Sequence, residues 1–313
     1  MKKIVLLFLS ALVGTAIPAQ NTANLTLNLE KNKVYRLKST SEQTLTQTVN
    51  GVQQTTGINS NSSVSIKVVD ATPDLLIAEV RFDTLITITN TMGKISNINS
   101  TSEGNMSSAE AADVMSCIMN RLSKNALYVK MDYTGKVMDI VNAKMLSDVI
   151  LKDTALISGP TASITKAQIR NMTGNEALKS MVEPLIHNLP GKQLSKGDTW
   201  VIAANNLSGG MSLDITTNYV LNGIKDRAAT VTAESNFKTA ANADPLEYGG
   251  LTITYDDLSG LGKSNMVIDA GTGLIIESNS KTHIAGNLNV NVQNNNIQIP
   301  MVMDGESKVI ALP

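Results

Sequence analysis

Leu29-Glu30-Lys31-Asn32-Lys33-Val34-Tyr35-Arg36-Leu37 and Leu194-Ser195-Lys196-Gly197-Asp198-Thr199-Trp200-Val201-Ile202 are two copies of one phrase. Each reads Leu, any residue, Lys, a turn former, two residues, a large aromatic, any residue, an aliphatic. Asn32 and Gly197 tolerate positive φ, so each copy can make a tight turn before an extended run. The aromatic and the following aliphatic lie two apart, on one face of a strand. Each phrase therefore predicts the opening strand of a half-domain.

Two further landmarks follow each phrase in the same order. Asp74-Leu75-Leu76-Ile77-Ala78-Glu79-Val80 and Asp226-Arg227-Ala228-Ala229-Thr230-Val231-Thr232 are strands entered from a turn Asp. Val129 to Ile140 and Met266 to Glu277 are hairpins, turning through Asp132…Gly135 and, one residue longer, Asp269…Gly273. The shared order predicts an internal duplication, with half-repeats at about 24–141 and 190–313. Asn50-Gly51 is the strongest hairpin signal of the first half. Asn222-Gly223 reads as another turn, and the polar run 90–105 as a loop. Leu251 to Tyr255, Met266 to Ile268, Leu274 to Glu277, Leu288 to Val292, Ile297 to Met303 and Val309 to Leu312 read as further strands.

Helices are expected at 107–124, capped by Ser107 or Ser108, and as a helical insertion over about 142–189. Gly159-Pro160 punctuates the insertion, and Pro184 should kink or end its last helix. The expected architecture is mainly β (α+β): a curved antiparallel sheet or half-barrel from two similar halves, with helices over the concave face. Strands with one apolar and one Thr/Asn face fit a sheet that packs on one side.

The chain has 313 residues and a formal net charge of -1. That balance argues against nucleic acid, which demands a basic footprint. Aromatics are only 3%, with Trp200 the sole tryptophan. Residues 1–19 read as a secretory leader: Lys2 and Lys3, an apolar run Ile4–Val13, then Ile17-Pro18-Ala19 before cleavage at Gln20. The expected mature chain, 20–313, is one β-rich domain in the periplasm or secreted. Cys117 lies far from the leader, so no lipid-attachment cysteine is expected. As the lone cysteine it forms no internal disulfide and reads as a small buried hydrophobe.

Catalysis finds little support. His187 and His283 are far apart in sequence, and no His/Asp/Glu cluster has metal spacing. No Gly-x-Ser-x-Gly elbow is present. Gly209-Gly210 and Gly249-Gly250 are loop glycines without a phosphate-loop Lys. Asp132, Asp198 and Asp269 sit where turns want an Asp. No catalytic, metal-binding or cofactor-binding residue is assigned, and no cofactor is expected. Met115, Met119, Met145, Met181 and Leu185, at helical spacing, are candidates for lining a groove under the helices. Ordinary core is the competing reading for the same residues. Tyr35, Trp200, Asp132, Gly135, Asp269 and Gly273 are the expected structural anchors.

Several of these pieces carry a resemblance: Tyr35-Arg36-Leu37-Lys38, Tyr128 to Asp139, Lys196-Gly197-Asp198-Thr199-Trp200 and Asp269 to Ile276. Together with the leader, they make the chain similar to a family of uncharacterised secreted proteins of Bacteroidetes-type bacteria, a domain of unknown function. The layout is more distantly similar to the half-barrel of periplasmic lipoprotein carriers, an analogy of fold. The resemblance supplies no activity. The expectation is an exported, non-enzymatic envelope protein that binds a lipid, another apolar ligand or an envelope protein. No nucleic acid and no transmembrane segment after leader removal are expected. Two alternatives stand: a structural or interaction module with a filled core, and an enzyme of unrecognised type.

Overall fold

Runs of Thr, Ser, Val and Ile favour extended backbone, and Asn-Gly and Asp-Gly steps fold such runs back on themselves. The computed structural model describes residues 22–159, 162–208, 211–241, 243, 245–248, 251–292 and 295–313. The leader, Pro160, Gly209-Gly210 and Gly249-Gly250 lie outside the described residues.

The first half contains β1 (Thr22–Leu25), β2 (Val34–Val49), β3 (Val52–Ala71), β4 (Leu75–Thr91), β5 (Lys94–Asn99), α1 (Ala111–Lys124), β6 (Leu127–Asp132) and β7 (Val137–Ile140). Helices α2 (Ala143–Ile150), α3 (Ala162–Thr173) and α4 (Asn175–Ile186) follow, with a short 3-10 turn at Thr154–Leu156. The second half contains β8 (Lys192–Ser195), β9 (Thr199–Ser208), β10 (Met211–Lys225), β11 (Ala228–Thr239), β12 (Leu246–Tyr248), β13 (Leu251–Asp269), β14 (Ile275–Val292) and β15 (Asn295–Leu312).

Among the described residues thirteen strands join in one antiparallel sheet, ordered β7-β6-β4-β3-β2-β15-β14-β13-β11-β10-β9, with β5 on β4 and β12 on β13. Strands β1 and β8 pair separately as a short ribbon. The protein is therefore mainly β, an open curved sheet with, among the described residues, four α-helices. Helix α4 contacts both β7 and β9, the two ends of the sheet path. The sheet thus bends far enough for one helix to touch both of its edges, yet strand pairing does not close it.

Both halves lay their strands down in the same direction along the sheet, and the correspondence reaches single hydrogen bonds. Asn32, at φ 67°, donates its N–H to the Val68 carbonyl at 2.9 Å. Gly197, at φ 92°, donates to the Leu221 carbonyl at 2.7 Å. Tyr35 stands opposite Ile66, and Trp200 opposite Tyr219. A bulge follows two residues further on in each partner strand, between Val68 and Asp70 and between Leu221 and Gly223. The late hairpins agree too: Leu76 faces Met131, and Ala229 faces Ile268. Their bulges fall at Lys130/Met131 and Val267/Ile268.

The core follows from the alternation. Leu37, Val64, Ile66, Val68, Ala78, Val80, Phe82, Leu127, Val129 and Met131 are buried on one face. Cross-strand partners such as Ile66–Val80 and Val80–Leu127 line up in rows across that face. Val114, Ile118 and Leu122 of α1 pack on it, together with Leu146, Ile150, Ile169, Leu178 and Val182 from the other helices. Cys117 is a buried member of the same core.

Four expectations need correction. Residues 94–99 form strand β5, because Met92 and Gly93, at φ 52° and 83°, make a two-residue hairpin after β4. Asn222-Gly223 bulges within β10, and the chain turns instead at Asp226-Arg227, at φ 48° and 67°. Helix α1 starts at Ala111, because the Ser108 hydroxyl accepts the Glu110 N–H and closes a local turn. The separate late strands are segments of three long ones, β13, β14 and β15. Their Ser, Gly and Asn interiors stay extended because a neighbour pairs each side. Pro184 lies inside α4, which ends two residues later at Ile186.

The two Asp-Gly turns meet the start of the first half at one end of the sheet. Leu27 N–H donates to the Tyr133 carbonyl at 2.8 Å, and Asn28 N–H to the Thr272 carbonyl at 2.9 Å. Gly273 has φ 78°, and a Cβ there would lie 2.4 Å from the Thr26 carbonyl oxygen. Gly135 has φ 86°, and its Cβ would lie 2.2 Å from the Ile186 oxygen. Gly273→Ala therefore meets both a left-handed backbone and a main-chain clash. It should destabilise the fold by about 2–4 kcal/mol, read as a lowered urea midpoint at unchanged slope. A midpoint within error of the wild type would refute this packing.

Candidate functional site

The anchors lie in two settings. Trp200 is 6% exposed and stacks on Tyr219, with ring centroids 5.0 Å apart and planes 6° from parallel. Its indole N–H donates to the Asn188 carbonyl at 3.2 Å, and the Tyr219 hydroxyl donates to Asn188 Oδ1 at 3.2 Å. Tyr35 packs against the same core, but at the centre of the sheet, where its hydroxyl accepts the Glu30 N–H at 3.0 Å. Asp132 Oδ1 accepts the N–H groups of Thr134 and Lys136, and Asp269 Oδ1 accepts that of Gly271. Both aspartates thus hold turns. Gly135 and Gly273 occupy the left-handed positions of those turns.

The candidate lining residues do not come together around an opening. Met115 and Met119 are 6% exposed and belong to the packed core between α1 and the sheet. Met181, Leu185 and Met172 lean on that core half-buried. Met145 is 50% exposed on the outer side of α2. Beneath the helices the inner face is filled.

Further along the strands the same face differs. Helix α3 touches β12, which pairs with the Leu251–Ile253 end of β13. Serines and threonines with glycines form a belt on this face, with the Thr217 and Ser235 hydroxyls 2.9 Å apart and those of Ser264 and Ser280 2.7 Å apart. Beyond it lies a second apolar cluster, with Leu213, Leu258, Ile284 and Met301 buried. Leu45, Met211, Ile215, Phe237, Tyr255, Leu288 and Met303 around them are only partly buried. Part of the cluster forms a continuous row across the sheet: Ile215, Phe237, Gly260, Ile284, Met303 and Leu45 stand opposite one another in turn. Gly260 makes the row passable, because a Cβ there would lie 2.7 Å from Ile284 Cγ1. Gly262 does the same for Phe237, whose Cε2 would lie 3.0 Å from an added Cβ. Sequence periodicity shows apolar residues in these strands. The row itself follows only from the pairing of residues far apart in the chain.

Two surface depressions stand out. One, of about 440 Å³, is lined by Thr134, Lys136, His187, Leu189, Pro190, Lys192 and Trp200 to Ala203. The other, of about 360 Å³, is lined by Asn236 to Lys238, Ser259 to Leu261, His283 and Ala285. The two histidines thus lie in different places. His187 Nδ1 is 2.8 Å from Glu183 Oε1 one helical turn away, and His283 Nδ1 is 2.7 Å from Asp304 Oδ1 directly across the ladder. Each pair is accounted for by its own helix or ladder. Among the described residues no group of three or more His, Cys, Asp or Glu could hold a metal ion. Among them too, no helix is long and apolar enough to cross a membrane.

The architecture defines an open-sheet β-protein whose inner face is packed under helices at one end and carries a second, partly buried apolar cluster further along. The chain belongs to DUF6263, a family of unknown function, whose profile matches residues 73–275. No curated protein matches it. Among solved structures, a lipovitellin structure described for its lipid–protein interactions is similar over 91% of this chain, at 13% identity and TM-score 0.49. This chain spans 26% of the lipovitellin chain's length. The COG4313 outer membrane channel from Pseudomonas putida F1 aligns with 91% of this chain and 97% of its own, at 8% identity and TM-score 0.22. OccK5 (OpdH) from Pseudomonas aeruginosa aligns with 90% and 99%, at 6% identity and TM-score 0.21.

Burial pushes the Tyr219 phenol up to about 12, with the Thr217 hydrogen bond opposing the rise. The folded state then holds this proton more tightly than the unfolded chain, whose tyrosine titrates near 10. The resulting stability is complete below about pH 10 and is lost as pH rises towards 12. Tyr219→Phe should show a shallower loss of urea stability across that window than the wild type. Parallel curves would place Tyr219 outside the linkage.

Proposed function

We propose that the protein is an exported, non-enzymatic binding protein of the bacterial envelope that holds an apolar, lipid-like ligand on the inner face of its open sheet. The observation that carries this reading is the row from Ile215 to Leu45, apolar but for Gly260, crossing six strands of β10, β11, β13, β14, β15 and β2, with Ile215, Phe237, Met303 and Leu45 only partly buried. Soluble proteins keep contiguous apolar patches small unless something covers them. Five inter-strand gaps make the row about 24 Å wide, a length that suits an extended acyl chain. Phe237 and Met303 supply large, adaptable surface to such a ligand. The hydroxyl belt beside the row offers hydrogen bonds to a polar head.

On this reading the ligand lies away from the core beneath the helices. The core beneath them is already occupied by side chains from both layers. Export is supported by the leader-like composition of residues 1–19. A non-catalytic role is supported by the two histidines lying in separate places, each paired with a carboxylate of its own helix or ladder.

An environment-sensitive apolar dye such as N-phenyl-1-naphthylamine tests the reading. Its emission should rise on binding, and an added long-chain fatty acid should displace it. Phe237→Glu and Met303→Glu, each partly exposed, should weaken dye binding at least tenfold while the urea midpoint changes by less than about 2 kcal/mol in stability. Equal dye binding by both variants would overturn the proposed location.

A further inference from the structure

The sheet has two ends, and the chain treats them differently. Strand β7 is four residues long, and Asn175 Oδ1 accepts its Ile140 N–H at 3.1 Å. Helix α4 lies against it, and also touches part of β9. Strand β9 is ten residues long, Thr-Trp-Val-Ile-Ala-Ala-Asn-Asn-Leu-Ser, with no charge and no proline. Exposed edges usually carry such protection against pairing with another chain. Asp198 accepts the Leu221 N–H at 2.9 Å, so even-numbered residues of β9 face β10. By alternation Thr199, Val201, Ala203 and Asn205 turn their N–H and C=O groups to the free side. Val201 is 61% exposed.

The internal correspondence shows what belongs on that side. Strand β2 is the counterpart of β9, and it carries β15 on its outer side, with Arg36–Gln47 against Met301–Leu312. No described strand fills the equivalent place beside β9. The 440 Å³ depression lies in that place, between Trp200–Ala203 and the turn carrying Thr134 and Lys136. Lys136 and Lys192 both line it and are exposed. Among the described residues neither has a carboxylate partner. An incoming strand that carries negative charge satisfies the main-chain groups and the lysines together.

We infer that the free edge of β9 is a strand-addition site for an extended, acidic peptide segment of a partner protein. The segment would pair antiparallel with β9, as β15 does with β2, and set its carboxylates between Lys136 and Lys192. This site is separate from the apolar row, so the two readings can fail independently.

Trp200 lines the depression and is the sole tryptophan, so its emission reports binding there. The probe is a synthetic peptide of alternating valine and threonine that ends in two aspartates, with a matched peptide ending in two lysines as control. The acidic peptide should shift Trp200 emission saturably, and the lysine peptide should not. Ala203→Pro removes a free-side N–H without touching the β10 ladder and should weaken binding at least tenfold. Lys136→Glu, a surface change, should weaken it by a similar factor and keeps the test valid if the proline variant does not fold. Dye binding on the inner face should be unchanged in both. Three results overturn the inference. One is no response to the acidic peptide. Another is equal response to the two peptides. The third is full binding by a folded Ala203→Pro variant, which would indicate charge attraction without strand pairing.

Discussion

The ladder between β2 and β15 holds the rest of the architecture together. It joins residues 36–47 to residues 301–312, the first long strand to the last. Without it the two halves would be separate meanders, each with an apolar face too narrow to bury itself. With it the sheet becomes one continuous layer whose rows of side chains run from β6 to β10. Forming it means closing almost the whole chain into a loop. That cost grows only slowly with loop length, and more than ten facing residue pairs offset it.

Curvature then sets what the inner face can do. At the end where the Asp-Gly turns meet β1 and α4, the curl brings both edges near one helix, and the interior is filled by Leu, Ile, Val and Met. Further along, the face carries the second cluster. Glycines at 260 and 262 let Ile284 and Phe237 lie flat where larger residues would collide. The face therefore changes along its length from packed core, through a hydroxyl belt, to a partly covered apolar row.

Much of this was legible in the chain. The Asn and Gly of the two phrases do adopt positive φ, and the Asp-Gly hairpins turn where their residues require it. Asn50-Gly51 turns as its dipeptide predicts, at φ 51° and 77°. The helices fall near their apolar stripes. What misled was polarity inside strands: Ser259 to Ser264 and Asn279 to Thr282 look like loop, yet each is held extended by neighbours on both sides. The same blindness hid the candidate sites. Methionines at helical spacing drew attention to the helices, whereas Phe237, Ile284 and Met303 lie on three different strands with no shared local pattern.

The sequence by itself settled where most strands and helices lie, where most turns fall, and which side of most strands is apolar. Those features depend on residues within a few positions of one another, through backbone sterics and a two-residue side-chain period. Tertiary structure decided which strands are neighbours: that β15 lies beside β2, that the apolar row is continuous, and that β9 is left at an edge. Alternation tells a strand which face to bury but carries no record of its partner. That choice is made only when the long-range ladders close.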